Sequence, residues 1–171
     1  TTAPVGLAVT HDTNAVSKAV TGFVDAYNAL QSQLKSRSAY GTATSQAGAL
    51  AGDGTVRLMV NQLRGVFNTA ASGGTLASLA QVGISTQADG TLKSDSSKLN
   101  TAMANDFSDV TNLFSSVTGF ATRLDAWSTS ALAPGGMIDT RTNSLNTSIT
   151  GYNNKISQLE NRMATLQKLY T

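Results

Sequence analysis

Over residues 138–170 the side chains form a ladder in steps of three and four. Ile138, Leu145, Tyr152, Leu159 and Leu166 stand seven apart, and Thr142, Ile149, Ile156, Met163 and Tyr170 fill the alternate rungs, a run of more than four heptads. A repeat of 3.5 residues is the period of a supercoiled helix and does not match a strand. The helix it requires is about 50 Å long at ~1.5 Å per residue, and its apolar stripe needs a second stripe to bury it. A shorter ladder of the same kind runs through Val16, Val20, Phe23, Tyr27, Leu30 and Leu34 after Asp12, which can cap a helix over 12–37. Antiparallel packing of the two ladders is expected. The shorter one covers only part of the longer, so the remainder calls for a chain segment absent here or another subunit.

Between the ladders the residues punctuate clearly. Segment 38–54 is rich in Ser, Thr, Ala and Gly and reads as a loop, with one helical turn near Gln46. Region 55–133 reads as helices around a small hairpin. Val56, Met59, Val60, Leu63 and Phe67 mark one helical face, which stops at Gly73-Gly74. A helical turn is expected over 75–79, and Val82, Ile84, Asp89-Gly90 and Leu92 predict a hairpin at about 82–93, with Asp-Gly supplying the positive φ angles of a tight turn. Leu99 and Met103 belong to a helix capped by Asp95 or its neighbouring serines, which bends near Asn105 and continues through Phe107, Val110, Leu113 and Phe114. Phe120, Leu124 and Trp127 lie on another, ended by Pro134-Gly135-Gly136 before the long helix of 137–171. The alternating stretch 4–10, at the head of segment 1–11, reads as one short strand whose sheet lies elsewhere.

Composition narrows the function. Charged residues are 13% of the chain and Glu160 is the sole glutamate, while Ser, Thr and Asn supply nearly a third of all residues. An ordinary domain carries roughly 25% charge, and neutral polar faces lose water against a neighbour at lower cost than ionised ones. Such a surface suits a protein packed among subunits, or it reflects a lineage bias toward small residues. The net charge of +2 comes from scattered cations with no basic stripe, so nucleic acid is not an expected partner. No apolar run reaches the length of a membrane span and no cleavable signal is present, so no membrane partner is expected.

No catalytic, cofactor or metal site emerges. There is no cysteine, and the single histidine, His11, leaves no pair for a metal and no base for a nucleophile in a Gly-x-Ser-x-Gly setting. Asp106 and Asp109 lack a third ligand and suit the first turn of a helix. Gly52-Asp53-Gly54 lacks the Gly-Lys-Ser/Thr of a phosphate loop, and Asn146-Thr147-Ser148 is a chance triplet in so polar a chain. Phe107, Phe114, Phe120 and Trp127 have the spacing of packing residues. The expectation is a mainly α protein, an elongated helical bundle or coiled coil with a small β-hairpin.

Several strings carry a resemblance in order along nearly the whole chain. They are Phe23-Val24-Asp25-Ala26-Tyr27-Asn28; Leu79, Gly83-Ile84, Asp89-Gly90-Thr91-Leu92 and Asp95; Leu99 with Asp106, Val110, Leu113 and Phe114; and Gly136-Met137-Ile138 with Arg141. In order and spacing the chain resembles the C-terminal half of flagellar hook-associated protein 2, the filament cap family. The resemblance implies a helical leg domain over 12–171, with 1–11 as the end of a head-domain strand and linker. The family's amino-terminal leg and apolar tail would then lie outside this chain. It also implies a structural role at the distal tip of the bacterial flagellum. The partners would be copies of itself in a ring, a pentamer to hexamer in the full protein, together with flagellin and the hook-associated junction proteins. The location would be extracellular, reached through the flagellar export apparatus. Two other readings remain at this point: a junction protein or flagellin-like axial protein, and a surface adhesin for host glycans.

Overall fold

A computed structural model describes residues 10–72 and 74–170. They are mainly helical: α1 (Thr13–Ser38), α2 (Gly54–Asn68), a 3-10 turn (Leu79–Val82), β1 (Ile84–Thr86), β2 (Leu92–Ser94), α3 (Ser96–Asn105), α4 (Phe107–Ser115), α5 (Phe120–Leu132) and α6 (Met137–Tyr170). The strand expected over 4–10 falls, but for Thr10, outside the described residues. The chain divides into two compact units, Thr1–Trp127 and Ser128–Thr171.

In the first unit the acids explain where helices begin. Asp12 accepts from the Ala15 amide, Asp53 from Thr55 and Val56, Asp95 from Ser97 and Lys98, and Asp106 from Asp109, so four carboxylates cap α1 to α4. Each satisfies amides that a helix leaves unpaired and meets the positive end of its dipole. The bend expected near Asn105 is a full interruption at Asp106, which ends α3 and caps α4. After α1 the loop folds back on the helix end, with the Gly48 amide donating to Ala39 O and the Leu50 amide to Arg37 O. A Cβ on Gly48 would stand 2.3 Å from Arg37 O, so only glycine fits there.

The core forms where α1 to α5 and the hairpin converge, around Leu63, Val82, Ile84, Leu99, Leu113, Val110 and Phe120, all fully buried. Phe67 lies at its aromatic centre, with ring centroids 4.6 Å from Tyr27, 5.9 Å from Phe23 and 6.1 Å from Phe120. These spacings are within the range where ring pairs attract beyond their burial. The helical turn expected at 75–79 lies one turn later, because Gln81 accepts from the Ala77 and Ser78 amides and sets the 3-10 start at Leu79. Val82 therefore belongs to that turn, and the hairpin begins at Ile84.

The two strands pair antiparallel, Ile84 with Ser94 and Thr86 with Leu92. The Gln87 amide donates to Thr91 O, so the connection is the three residues Ala88, Asp89 and Gly90. Only Gly90 has positive φ (87°), and no other residue type does in the described chain. This corrects the expectation that Asp89 and Gly90 together supply the positive φ angles of the turn. A three-residue loop needs the left-handed region at one position only, and Asp89 serves by accepting from the Thr91 amide and hydroxyl.

A two-stranded sheet is marginal by itself, and α1 secures this one with side chains that mimic a neighbouring strand. The Asn28 amide donates to Leu92 O and accepts from the Leu92 amide, both at 2.8 Å. Tyr27 Oη donates to Gly90 O at 2.9 Å, and Gln31 Nε2 donates to Tyr27 Oη at 2.8 Å. Burial raises the Tyr27 pKa, opposed by the Gln31 bond, so the phenol remains a donor.

In the second unit, the turn after α5 is closed by the Gly136 amide on Ala133 O and by Asp139, whose carboxylate accepts from the Gly135 amide. Gly135 has φ 74°, and a Cβ on Gly136 would meet Ser130 O at 2.5 Å. From there α6 runs 34 residues without interruption.

Candidate functional site

The two ladders meet different fates. In α1, Val20 and Tyr27 are buried, while Val16, Phe23, Leu30 and Leu34 are half-buried against the core of the first unit. The part of this ladder left open is an apolar groove of about 210 Å³, formed by Val16, Val20 and Phe23 with Phe114 and Ala121.

In α6 no residue is buried. Every apolar rung of its ladder is exposed, from Ile138 at 37% through Leu145, Ile149, Tyr152, Ile156, Leu159, Met163 and Leu166 to Tyr170 at 84%. Leu169, which does not fall on the heptad, is 76% exposed and widens the stripe near its end. Single exposed apolar residues are ordinary, but a stripe of this length along one helix is not. Each Leu or Ile removed from water contributes about 1.5–3 kcal/mol, so the free stripe is the largest reserve of unused burial in the described chain.

The polar surface of α6 is prepared for contact as well. Thr142, Thr147, Ser148 and Thr165 turn their hydroxyls back onto carbonyls of the preceding turn, those of Ile138, Asn143, Ser144 and Asn161, at 2.9–3.0 Å. A hydroxyl already satisfied within its own helix does not need water. Thr142, the one polar rung, can thus offer its methyl group to the seam. Residues 142–154 contain no charged side chain, and the ring of Tyr152 lies 5.7 Å under the Lys155 ammonium.

The other residues singled out in the sequence have structural work. His11 stacks on Phe107 at 4.2 Å. Asp109 accepts from the amide and hydroxyl of Thr75, which lowers its pKa and ties the loop before the 3-10 turn to α4. Trp127 Nε1 donates to Gln62 Oε1 at 3.1 Å, and the Arg123 guanidinium donates to Thr69 O and lies 4.6 Å over the Phe120 ring, so α5 is fastened to the end of α2. Among the described residues no three His, Asp or Glu side chains gather to hold a metal ion, and no helix is long and apolar enough to cross a membrane.

Comparison with known proteins agrees with this geometry. The family described as flagellar hook-associated protein 2 C-terminus matches residues 1–171. The chain is 33% identical to the B-type flagellar hook-associated protein 2 of Pseudomonas aeruginosa over 172 residues, covering 98% of this chain and 36% of that protein. It is 31% identical to the flagellar hook-associated protein 2 of Escherichia coli K12 over 177 residues, covering 95% of this chain and 38% of the relative. It thus spans little more than a third of these curated relatives. The D1-D2-D3 domains of the flagellar cap protein FliD from Escherichia coli superpose with a TM-score of 0.72 at 34% identity, over 79% of this chain and 37% of theirs. With the family's pattern running from the first residue to the last, this chain belongs to the flagellar hook-associated protein 2 C-terminal family.

Proposed function

We propose that this chain is the carboxy-terminal part of a flagellar filament cap subunit, and that it works as scaffolding rather than as a catalyst. The observation that carries this reading is the α6 ladder, solvent-exposed along its whole length in a helix with little intrinsic reason to stand alone. Asn, Thr, Ser and Gly are poor helix formers, and Gly151 sits in mid-helix with nothing near its absent Cβ. Packing must therefore supply what propensity does not. The ladder, with the open part of the α1 ladder as a second contact, would lie in helical seams with other segments of the full protein or other copies in a ring. The domains would be a leg over 12–171 and a strand remnant over 1–11. Flagellin and the hook-associated junction proteins are the further partners, and the site of action is the distal tip of the filament, outside the cell.

The test is replacement of Leu145 and Ile149 by Asp in the full-length protein. Two carboxylates would enter an apolar seam, and an isolated buried charge is far too costly to accommodate without a partner. We expect the protein to be made and exported but to lose its oligomer, and filament growth in a cell lacking its own cap to stay unrestored. Normal oligomer size with normal filaments would overturn the reading.

A further inference from the structure

On the first unit a cleft of about 350 Å³ opens between α1, α2 and the hairpin tip, lined by Gln31, Ser32, Lys35, Arg64, Asp89 and Thr91 among others. Its floor is unusual. Gln31 is 7% exposed and, among the described residues, is the one polar residue that is buried. Its Nε2 donates to Tyr27 Oη and, at 3.3 Å, to Gly90 O, while its carboxamide oxygen accepts from no described residue. That oxygen is not among the buried side-chain atoms left without a partner, so it reaches the solvent of the cleft as a free acceptor. Arg64 leans over the same spot: a Cβ on Gly90 would stand 3.2 Å from Gln31 Nε2 and 3.6 Å from a guanidinium nitrogen of Arg64. Gly90 is buried, and its lack of a side chain keeps the cleft open. Lys35 lines the cleft and acts on Asp89 at Coulombic range.

The cleft therefore combines two cations, one carboxylate and a solvent-reached amide acceptor on its lining. A lone anion would use the cations and leave the acceptor idle. A residue that carries a carboxylate and, a few bonds away, an amide N–H uses both. We propose that this cleft binds an acidic residue in an extended segment of a partner protein, with its carboxylate between Arg64 and Lys35 and its backbone N–H on the Gln31 carboxamide oxygen. Asp89 is the one carboxylate on a lining that carries both Lys35 and Arg64, so a second negative charge for the cleft would come from its ligand. Asp89 opposes the incoming carboxylate and sets a limit on affinity. The site belongs to the first unit alone, and it stands or falls separately from the α6 seam.

The probes are the blocked tripeptide Ac-Ala-Asp-Ala-NH2, its Asn counterpart and inorganic phosphate, titrated into the 171-residue chain and followed by the nuclear magnetic resonance shifts of the Gln31 side-chain amide and the Gly90 and Thr91 backbone amides. The Asp peptide is expected to move these signals saturably, and the Asn peptide to bind about tenfold more weakly for want of a charge-assisted contact. Arg64→Gln, a surface change, should also weaken the Asp peptide about tenfold. Asp89→Asn, whose side-chain oxygen can keep the Thr91 bonds, should tighten it a few-fold. Equal binding of the Asn peptide, indifference to Arg64→Gln, or phosphate competing as well as the Asp peptide would each overturn the proposal.

Discussion

Unit one and α6 start from the same sequence device, an apolar ladder in steps of three and four, and they use it in opposite ways. In α1 the ladder is taken up by neighbours from its own unit: Val20, Val24 and Tyr27 are buried among Leu63, Leu92, Leu99 and Phe120. In α6 the longer and more regular ladder has no buried rung. Periodicity alone does not tell a stripe that closes a core from one that awaits a partner. The difference lies in what surrounds it. Around α1 there are caps, rings and long-range bonds that hold other elements in place. Around α6 there are hydroxyls bonded inward and, over 142–154, no charged side chain.

Substitutions test whether the two ladders differ in this way. The largest effect should come from Phe120→Ala, which removes a fully buried ring from the core of the first unit and should lower unfolding stability by about 3–5 kcal/mol, measured by chemical denaturation. Leu159→Ala in α6 should leave that transition almost unmoved and instead raise the concentration at which the full protein associates, read by light scattering. An equal loss from both would mean that the α6 stripe is already part of a core. Next, Asp106→Ala should cost about 1 kcal/mol in the same denaturation experiment, since it removes the cap of α4 at the junction with α3. The glycines divide in the same way: Gly119→Ala would place a Cβ 2.3 Å from Phe114 O and should destabilise, whereas Gly151→Ala meets open space and should raise the helix content of α6 by an amount worth about 0.5–1 kcal/mol.

The smallest effect is the pH response. The carboxylates of Asp109 and Asp89 have lowered pKa values, first because the Thr75 and Thr91 hydroxyls donate to them and then through the amides of the same residues. A lowered folded-state pKa means that the stabilisation is complete above the ordinary carboxylate value of about 3.9 and is lost as pH falls through the lowered value. Thermal melts should therefore decline modestly below about pH 4, and Asp109→Asn should flatten that decline without altering the melt at pH 7 by more than its lost bonds.

Much of this was legible in the residues. The long ladder needs only its period to declare a helix, and Asp12 and Asp95 stand where caps belong. Val82, Ile84 and Leu92 around Asp89-Gly90 are enough to locate the hairpin. What the residues hid is decided at long range. Nothing local reveals that Asp109 reaches back 34 residues to Thr75, that Asn28 imitates a strand edge for Leu92, or that Gln31 is buried. The form of the turn is hidden for a related reason: the Gln87–Thr91 bond, not the Asp-Gly pair, fixes its length. The open α6 stripe was readable as apolar, but its vacancy depends on which other surfaces the fold has already used.

The inward-turned hydroxyls of α6 have a consequence for where such a module can operate. A contact built from alkyl groups and self-satisfied alcohols offers counter-ions nothing to compete for along 142–154. Debye screening shrinks from about 30 Å in dilute solution to about 3 Å in molar salt, and an adhesion of this kind should barely register the change. A joint made this way would hold as firmly in fresh water as in brine, a useful property for anything assembled beyond the reach of the cell's own ionic control.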